Sequence, residues 1–279
     1  MNDESPAPAA VGSSNGGYLL TGQPTELERL QLQSRVWEPA GRELLAELGD
    51  GRGRRALDVG CGVLGWLRVL SEWVGPTGEV VGTDIDTAML AGARTFADAE
   101  ELSNVELIQD DLFSSELPPA TFDLVHARFQ LAPLGRATEQ LTAYRRLVRP
   151  GGLLVLEDPD SGTWHFNPPA AAGQRLITLV LQAFSAAGGD FDAGRALPTV
   201  MAEAGLEPQV RSSVRALPAG HPYLRVPIQF SVALEQRLSM ILPLAELRAL
   251  RAAADVELAN SARWGTTFTL IQAWARIDN

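Results

Sequence analysis

The chain has 279 residues, 46% of them hydrophobic, enough to build one large α/β unit with an elaborated cap or two small domains. Its 34 acidic and 23 basic residues give a formal net charge of −11, and every basic residue is arginine. That balance argues against a nucleic-acid partner, because neutralising a phosphate backbone requires a basic surface. The single cysteine, Cys61, can form neither an internal disulfide nor a cysteine-based zinc site. No stretch approaches the roughly 18 consecutive apolar residues of a membrane span. The polar start Met1-Asn2-Asp3-Glu4-Ser5 lacks a signal-peptide pattern, so a cytoplasmic location without a membrane partner is expected.

Residues 1–17 are rich in Ala, Pro, Ser and Gly and are expected to form a disordered tail. An N-terminal helical lid is expected over residues 18–50. A capping box, Thr25-x-x-Glu28, opens an amphipathic helix through Leu27, Leu30, Leu32, Val36 and Trp37. Pro39 is expected to break it and start a second helix, Ala40 to Leu48. The turn-rich Gly49-Asp50-Gly51-Arg52-Gly53 then leads into a cofactor-binding α/β core over residues 51–160.

The core opens with the apolar run Arg55-Ala56-Leu57-Asp58-Val59, the glycine turn Gly60-Cys61-Gly62-Val63-Leu64-Gly65 and a helical pattern from Trp66. This is the first strand–turn–helix of a doubly wound sheet, where ligands bind above the carboxyl ends of the strands. Read as a bare pattern, Gly60-x-Gly62-x-x-Gly65 also fits a dinucleotide fingerprint, with Asp84 about twenty residues on. Charge separates the alternatives. A pyrophosphate at this turn would be repelled by Asp58, whereas a sulfonium nucleoside would be attracted by Asp58, Asp84 and Asp111.

Glu79 to Thr83 reads as the second strand and Asp86 as the N-cap of a helix over about 87–102. Val105 to Gln109 alternates as a third strand, and Phe122 to Arg128 is a fourth. A helix over Ala137–Val148 and the turn Pro150-Gly151-Gly152 lead to a fifth strand ending in Glu157-Asp158-Pro159-Asp160. Residues 161–279 are expected to complete the sheet and to carry helical insertions at about 166–200 and 222–262, forming a substrate cap. Leu206 to Leu217 reads as the sixth strand and Thr266 to Ala275 as the seventh. The aromatic loop from Ser161 to Pro169 contains Asn167-Pro168-Pro169, a tripeptide also used by amino-methyltransferases of nucleic acids or proteins. There it follows the fourth strand and precedes an aromatic residue. Here it follows the fifth and precedes Ala170, so that assignment is rejected.

Four segments in order carry a resemblance. Leu57-Asp58-Val59-Gly60-Cys61-Gly62 resembles the first motif of the class I S-adenosylmethionine-dependent methyltransferases, and Val80-Val81-Gly82-Thr83-Asp84-Ile85-Asp86 their second strand. Gln109-Asp110-Asp111-Leu112 is similar to their adenine-facing segment, and Arg149 to Asp158 to their turn and fifth strand. Many members have a third glycine at the place of Leu64, whereas here it comes one residue later, at Gly65. The resemblance implies a three-layer, doubly wound, seven-stranded, mostly parallel α/β sheet with an antiparallel last strand at the sheet edge, plus helical lid insertions.

It further implies S-adenosylmethionine as cofactor, held by Asp58, Gly60, Cys61, Gly62, Asp84 and Ile85, with Arg128 beside it. Asp84 would bond the ribose hydroxyls. Asp111 and Leu112 would meet the adenine, with Asp110 the neighbouring alternative. Tyr18, Gln33 and Trp37 would face the mouth, and Phe129, Asp158, Trp164 and His165 the acceptor. His165, and next His126, are the expected bases for a hydroxyl acceptor. No metal site is expected. The activity implied is methyl transfer to an oxygen or nitrogen of a small organic molecule, in bacterial secondary metabolism, with a homodimer as the partner state considered. The rivals are a protein of the same fold that binds the cofactor without transferring its methyl, and an NAD-dependent oxidoreductase.

Overall fold

A computed structural model describes residues 24–278; the expected tail and Tyr18 lie outside the described residues. The elements in order are α1 (Pro24–Leu48), β1 (Arg55–Val59), α2 (Leu67–Val74), β2 (Glu79–Asp84), α3 (Thr87–Ala99), β3 (Val105–Gln109), β4 (Phe122–Arg128), the single turn α4 (Leu131–Leu134), α5 (Ala137–Leu147) and β5 (Val148–Asp160). The second half holds β6 (His165–Asn167), α6 (Ala171–Ala186), α7 (Leu197–Glu203), β7 (Gln209–Ser213), β8 (Ala216–Leu217), α8 (Val226–Ala233), α9 (Glu235–Leu238), α10 (Leu244–Leu258), β9 (Trp264–Thr266) and β10 (Thr269–Arg276).

Seven strands form one sheet in the order β3-β2-β1-β4-β5-β10-β7. β10 runs antiparallel to both its neighbours, and the remaining strands run one way. The last strand in the chain is therefore not at the edge, as the sequence reading had it. Along β10 nearly every residue is buried, whereas β7 is half-exposed and polar, with Arg211 and Ser212. A strand that buries both faces belongs inside a sheet, and a charged, short one makes a tolerable edge. The expected sixth strand divides, because β8 leaves the main sheet and joins a small antiparallel sheet of order β6-β9-β8.

Side chains alternate to the two faces of the main sheet. Leu57, Val125, Leu154 and Ala273 pack on one face with Leu141 and Tyr144 of α5 and Leu197 and Met201 of α7. Ala56, Leu124, Val155 and Trp274 pack on the other with Leu44 of α1, Leu67 and Leu70 of α2 and Ala93 of α3. A third cluster lies above the carboxyl ends of the strands, where α6, α8 and α10 pack on Trp37, Trp164 and Phe268.

Pro39 does not divide the first helix; α1 runs unbroken through it. A mid-helix proline costs about 3 kcal/mol. Trp37 and Ala40 are buried around it, with Leu44 and Leu45 one turn on, so packing on both sides of the proline holds the axis continuous.

Candidate functional site

The polar groups converge where the sequence reading placed them, above the carboxyl ends of β1, β2, β3 and β4. The turn after β1 bends through Gly60 (φ 63°), Gly62 (φ 56°) and Gly65 (φ 44°), a left-handed backbone that favours glycine. At Gly62 an added Cβ would meet only Leu30, at 4.0 Å, so the turn stays open to a ligand on that side. At Gly65 a Cβ would lie 2.2 Å from Asp58 Oδ2, because the turn wraps closely around that carboxylate.

A cleft of about 600 Å³ extends from this turn. Its walls include Asp58, Gly60, Cys61 and Gly62 from β1 and its turn, Asp84 and Ile85 from the end of β2, and Asp110, Asp111 and Leu112 after β3. Arg128 and Phe129, at the end of β4, close the far side. All the residues assigned to a cofactor from sequence thus share one cavity. Asp84 accepts hydrogen bonds from the amides of Gly62 and Asp86, each at 2.9 Å, and burial raises its carboxyl above the ordinary range. Asp111 caps a short turn through the Phe113 amide at 3.0 Å. Burial, with the charges of Asp58 and Asp84 behind it, pushes the Cys61 thiol well up, so it stays protonated and packs as a small apolar group.

Asp58 is itself buried. Its Oδ2 accepts the Trp66 amide at 2.6 Å and its Oδ1 faces His126 Nδ1 at 2.7 Å. It therefore organises the glycine turn and adds negative charge to the cleft floor.

Five expectations need correction. His126 is fully buried, stacked on Trp66 at 3.8 Å and held between Asp58 and Glu157, so it has no access to an acceptor. His165 stands exposed on β6 opposite Thr266, because the loop after β5 turns away into the small sheet. Trp164 is core, stacked on Phe191 at 5.5 Å. Trp37 is likewise core, packed on Phe268 at 5.4 Å. Asp158 is buried and accepts the amides of Leu131 (3.3 Å) and Ala132 (2.9 Å) at the start of α4; burial lifts its carboxyl to about 7.

Several lining residues escaped the sequence reading. Gln130 reaches across the turn, its amide nitrogen donating to Gly60 O at 3.3 Å, and α1 supplies Leu30 and Ser34. Gln33 and Phe129, expected at the mouth and at the acceptor, form the wall between the cleft and a second, smaller recess of about 30 Å³. Phe184, Phe191, Phe230 and Phe268 line that recess with Arg29, whose guanidinium lies 4.4 Å from the Phe230 ring and donates to Gln33 Oε1 at 2.8 Å. The phenylalanines come from α6, the turn that follows it, α8 and the entry to β10, so no local pattern joins them. The four-residue period of Arg29 and Gln33 on α1 was a readable signal.

The donor set fits a cationic nucleoside with an amino-acid end. Carboxylates stand at the ends of β1 and β2 and after β3, the Gly62 side of the turn is open, and the buried Nη1 of Arg128 has no hydrogen-bond partner among the described residues. A pyrophosphate would instead meet the carboxylate of Asp58 beneath the turn.

Residues 56–152 match the family model of a methyltransferase domain. Over 104 residues the chain is 38% identical to a demethylmenaquinone methyltransferase of Geobacillus sp. (strain WCH70), covering 37% of this chain and 44% of that one. The chain spans about half the length of the curated relatives it matches. Its fold is similar to a SAM-dependent methyltransferase from Aquifex aeolicus, with TM-score 0.52 and 22% identity over 71% of this chain and 93% of that one. It is also similar to a Haemonchus contortus phosphoethanolamine N-methyltransferase 2 in complex with phosphomonomethylethanolamine and S-adenosylhomocysteine, with TM-score 0.52 and 17% identity over 86% of this chain and 53% of that one. Residues 56–152 therefore match a methyltransferase domain, and the seven-stranded sheet that carries them has the fold of solved S-adenosylmethionine-dependent methyltransferases.

Proposed function

We propose that the chain transfers the methyl group of S-adenosylmethionine to an oxygen or nitrogen of a small, largely apolar organic acceptor. The observation that carries this reading is the junction of two cavities, a carboxylate-rimmed cleft and a phenylalanine-lined recess that share Gln33 and Phe129. When bound, the cofactor supplies an electrophilic methyl on a sulfonium whose leaving group is a neutral thioether. The chain's part is to align and to desolvate. Asp84 would hold the ribose end, Asp111 and Leu112 would receive the adenine, and the Gly60–Gly62 turn would leave room for the amino-acid end. Positioning of this kind accounts for a large share of the rate of a collinear displacement.

No imidazole among the described residues lines the cleft, since His126 is sealed below it and His165 stands on the small sheet. The acceptor is therefore one that is already nucleophilic, such as a neutral amine or an acidic hydroxyl of the phenol or enol kind. The recess itself has room for little more than a water, so a flat or hydrocarbon acceptor body would lie in the cleft against its Phe129 wall, and the helices α6, α8 and α10 beyond that wall exclude water. A bacterial secondary metabolite meets that description.

The test has two parts. S-adenosylhomocysteine is expected to raise the melting temperature of the protein and NAD is not, because only a ligand bound by the native state stabilises it. Incubation with methyl-labelled S-adenosylmethionine and fractionated bacterial metabolite extract is expected to label a small molecule. Stabilisation by NAD alone, or cofactor binding without transfer to any fraction, would overturn the reading.

A further inference from the structure

A row of buried polar side chains crosses the sheet beneath the cleft. Asp58 on β1, His126 on β4, Glu157 on β5 and Gln272 on β10 all project to the same face and are all buried. The contacts run from Asp58 Oδ1 to His126 Nδ1 at 2.7 Å and from His126 Nε2 to Glu157 Oε2 at 3.2 Å. Gln272 Nε2 then donates to Glu157 Oε1 at 2.6 Å. Each ring nitrogen of His126 faces a carboxylate oxygen, an arrangement that is attractive only when a proton lies on both sides of the ring. Burial works against charge on the imidazole, but the charges and hydrogen bonds of Asp58 and Glu157 prevail and raise it above its ordinary value.

The row matters because of its neighbour. Arg128 stands beside Glu157, its Nη1 3.9 Å from the same Oε2 that faces His126, too far for a hydrogen bond. Its Nη2 is occupied by Ser34 Oγ at 3.0 Å and the Gly65 carbonyl at 3.1 Å. Nη1 has no hydrogen-bond partner among the described residues, although the side chain is only 5% exposed and lines the cleft. A buried guanidinium edge is costly to leave unpaired, and an oxygen anion in the cleft would satisfy it.

Resting on the reading of the cleft as a cofactor site, we propose that His126 is a positioning residue: by engaging Glu157 it reserves the Nη1 edge of Arg128 for the carboxylate at the amino-acid end of the cofactor. Without the imidazole to engage it, Glu157 would close the 3.9 Å gap to Arg128 and the two would satisfy each other. His126 thus controls recognition of one end of the ligand without touching it.

Calorimetry with two thioether nucleosides separates this role from a purely structural one. S-adenosylhomocysteine carries the carboxylate; S-adenosyl-3-thiopropylamine keeps the amine and lacks it. The wild-type protein is expected to prefer the first by about ten- to a hundredfold, the range of a charge-assisted hydrogen bond. Arg128→Gln is expected to erase most of that preference while leaving the affinity for the amine analogue nearly unchanged. His126→Asn is expected to do the same, and His126→Asn/Glu157→Gln, which removes the competing carboxylate, to restore it. A wild-type preference ratio retained in either single variant, or no recovery in the double variant, would overturn the proposal. If His126→Asn lost its cooperative unfolding transition, pH would carry the test in its place. The groups facing His126 are Asp58, Glu157 and, beyond Glu157, Arg128, with the Trp66 ring against its plane. The wild-type ratio should then fall as pH rises through deprotonation of His126, and the ratio in Glu157→Gln should stay flat; a flat wild-type ratio would overturn the proposal. Failure of S-adenosylhomocysteine to bind at all would instead overturn the cofactor reading.

Discussion

The Asp84 carboxylate accepts the Gly62 amide at 2.9 Å and the Asp86 amide at 2.9 Å, so one side chain ties the end of β2 to the glycine turn that follows β1. Each oxygen retains a lone pair for a ribose hydroxyl. Asp84→Ala is expected to weaken S-adenosylhomocysteine binding by about 1–3 kcal/mol, and Asp84→Asn by less, because one acceptor oxygen survives. Burial has already raised this carboxyl above its usual range. Affinity should therefore decline on acidification at a higher pH than an ordinary aspartate would dictate. Titration calorimetry across pH 4–7 checks both statements, and an unaltered Asp84→Ala affinity would remove Asp84 from the site.

The glycines of the turn differ in what they tolerate. Gly62 and Gly65 both have left-handed backbones, so alanine at either costs about 1–2 kcal/mol of conformational strain. At Gly65 the new methyl would also lie 2.2 Å from Asp58 Oδ2 and 2.7 Å from the Cys61 carbonyl. Gly65→Ala is expected to destabilise the fold clearly more than Gly62→Ala in urea titrations. Gly62→Ala should stay folded and lose cofactor affinity instead, since its methyl projects toward the open side of the turn. Equal losses of stability would contradict this assignment.

The strand ends and the glycine turn were legible because their chemistry is local. An acid closing an apolar run, glycines where φ is positive and an N-cap two residues later are all contiguous patterns, and they led to Asp58, Gly60, Gly62, Asp84 and Asp86. The antiparallel last strand was legible as well, but its place inside the sheet was not. That place depends on which of β7 and β10 can bury both faces. His165 and Trp164 were misread for a related reason. The loop after β5 is rich in aromatic residues, which suits an acceptor pocket, but pairing of β6 with β9 carries His165 to the surface and Trp164 into the core. Nor does any spacing announce that His126 and Glu157 meet, 31 positions apart on adjacent strands.

Within the phenylalanine recess, two rings are expected to respond differently. Phe268 packs against Trp37, Phe129, Trp164 and Phe191, with centroids between 5.3 and 5.7 Å, and is fully buried. Phe268→Ala should cost about 3–5 kcal/mol of stability through lost burial and a cavity. Phe129 is half-buried on the wall shared by both cavities, so Phe129→Leu should shift the melting temperature little and raise the KM for the acceptor. Chemical denaturation and steady-state kinetics on the two variants check the contrast. A large stability loss in Phe129→Leu would make it a core residue.

His165 gives the sharpest separation between sequence and structure. It is exposed, and its side-chain contact with Thr266, Nδ1 to Oγ1, is at the 3.5 Å limit of a hydrogen bond. His165→Ala is expected to leave turnover, cofactor affinity and melting temperature within error of wild type. Loss of turnover with unchanged cofactor affinity would return it to the acceptor site.

Asp158 ties the end of β5 to the start of α4, and its titration predicts a pH-dependent stability. Burial moves the carboxyl from its ordinary range to about 7, while the unfolded chain keeps a value of about 3.9. Between those values the native state holds a proton that the unfolded state has released, so stability must fall as pH rises from about 4 to about 7, and be flat in this contribution above that. Asp158→Asn keeps an acceptor for the Ala132 amide, which lies 2.9 Å from Asp158 Oδ1, and removes the buried ionisation. Urea denaturation at pH 5 and pH 8 should show the wild type losing stability between the two and the variant losing less. The variant should also be the more stable of the two at pH 8. If both proteins lost the same amount, Asp158 would already be ionised at pH 5, and the α4 junction would be held by charge-assisted hydrogen bonds throughout that range.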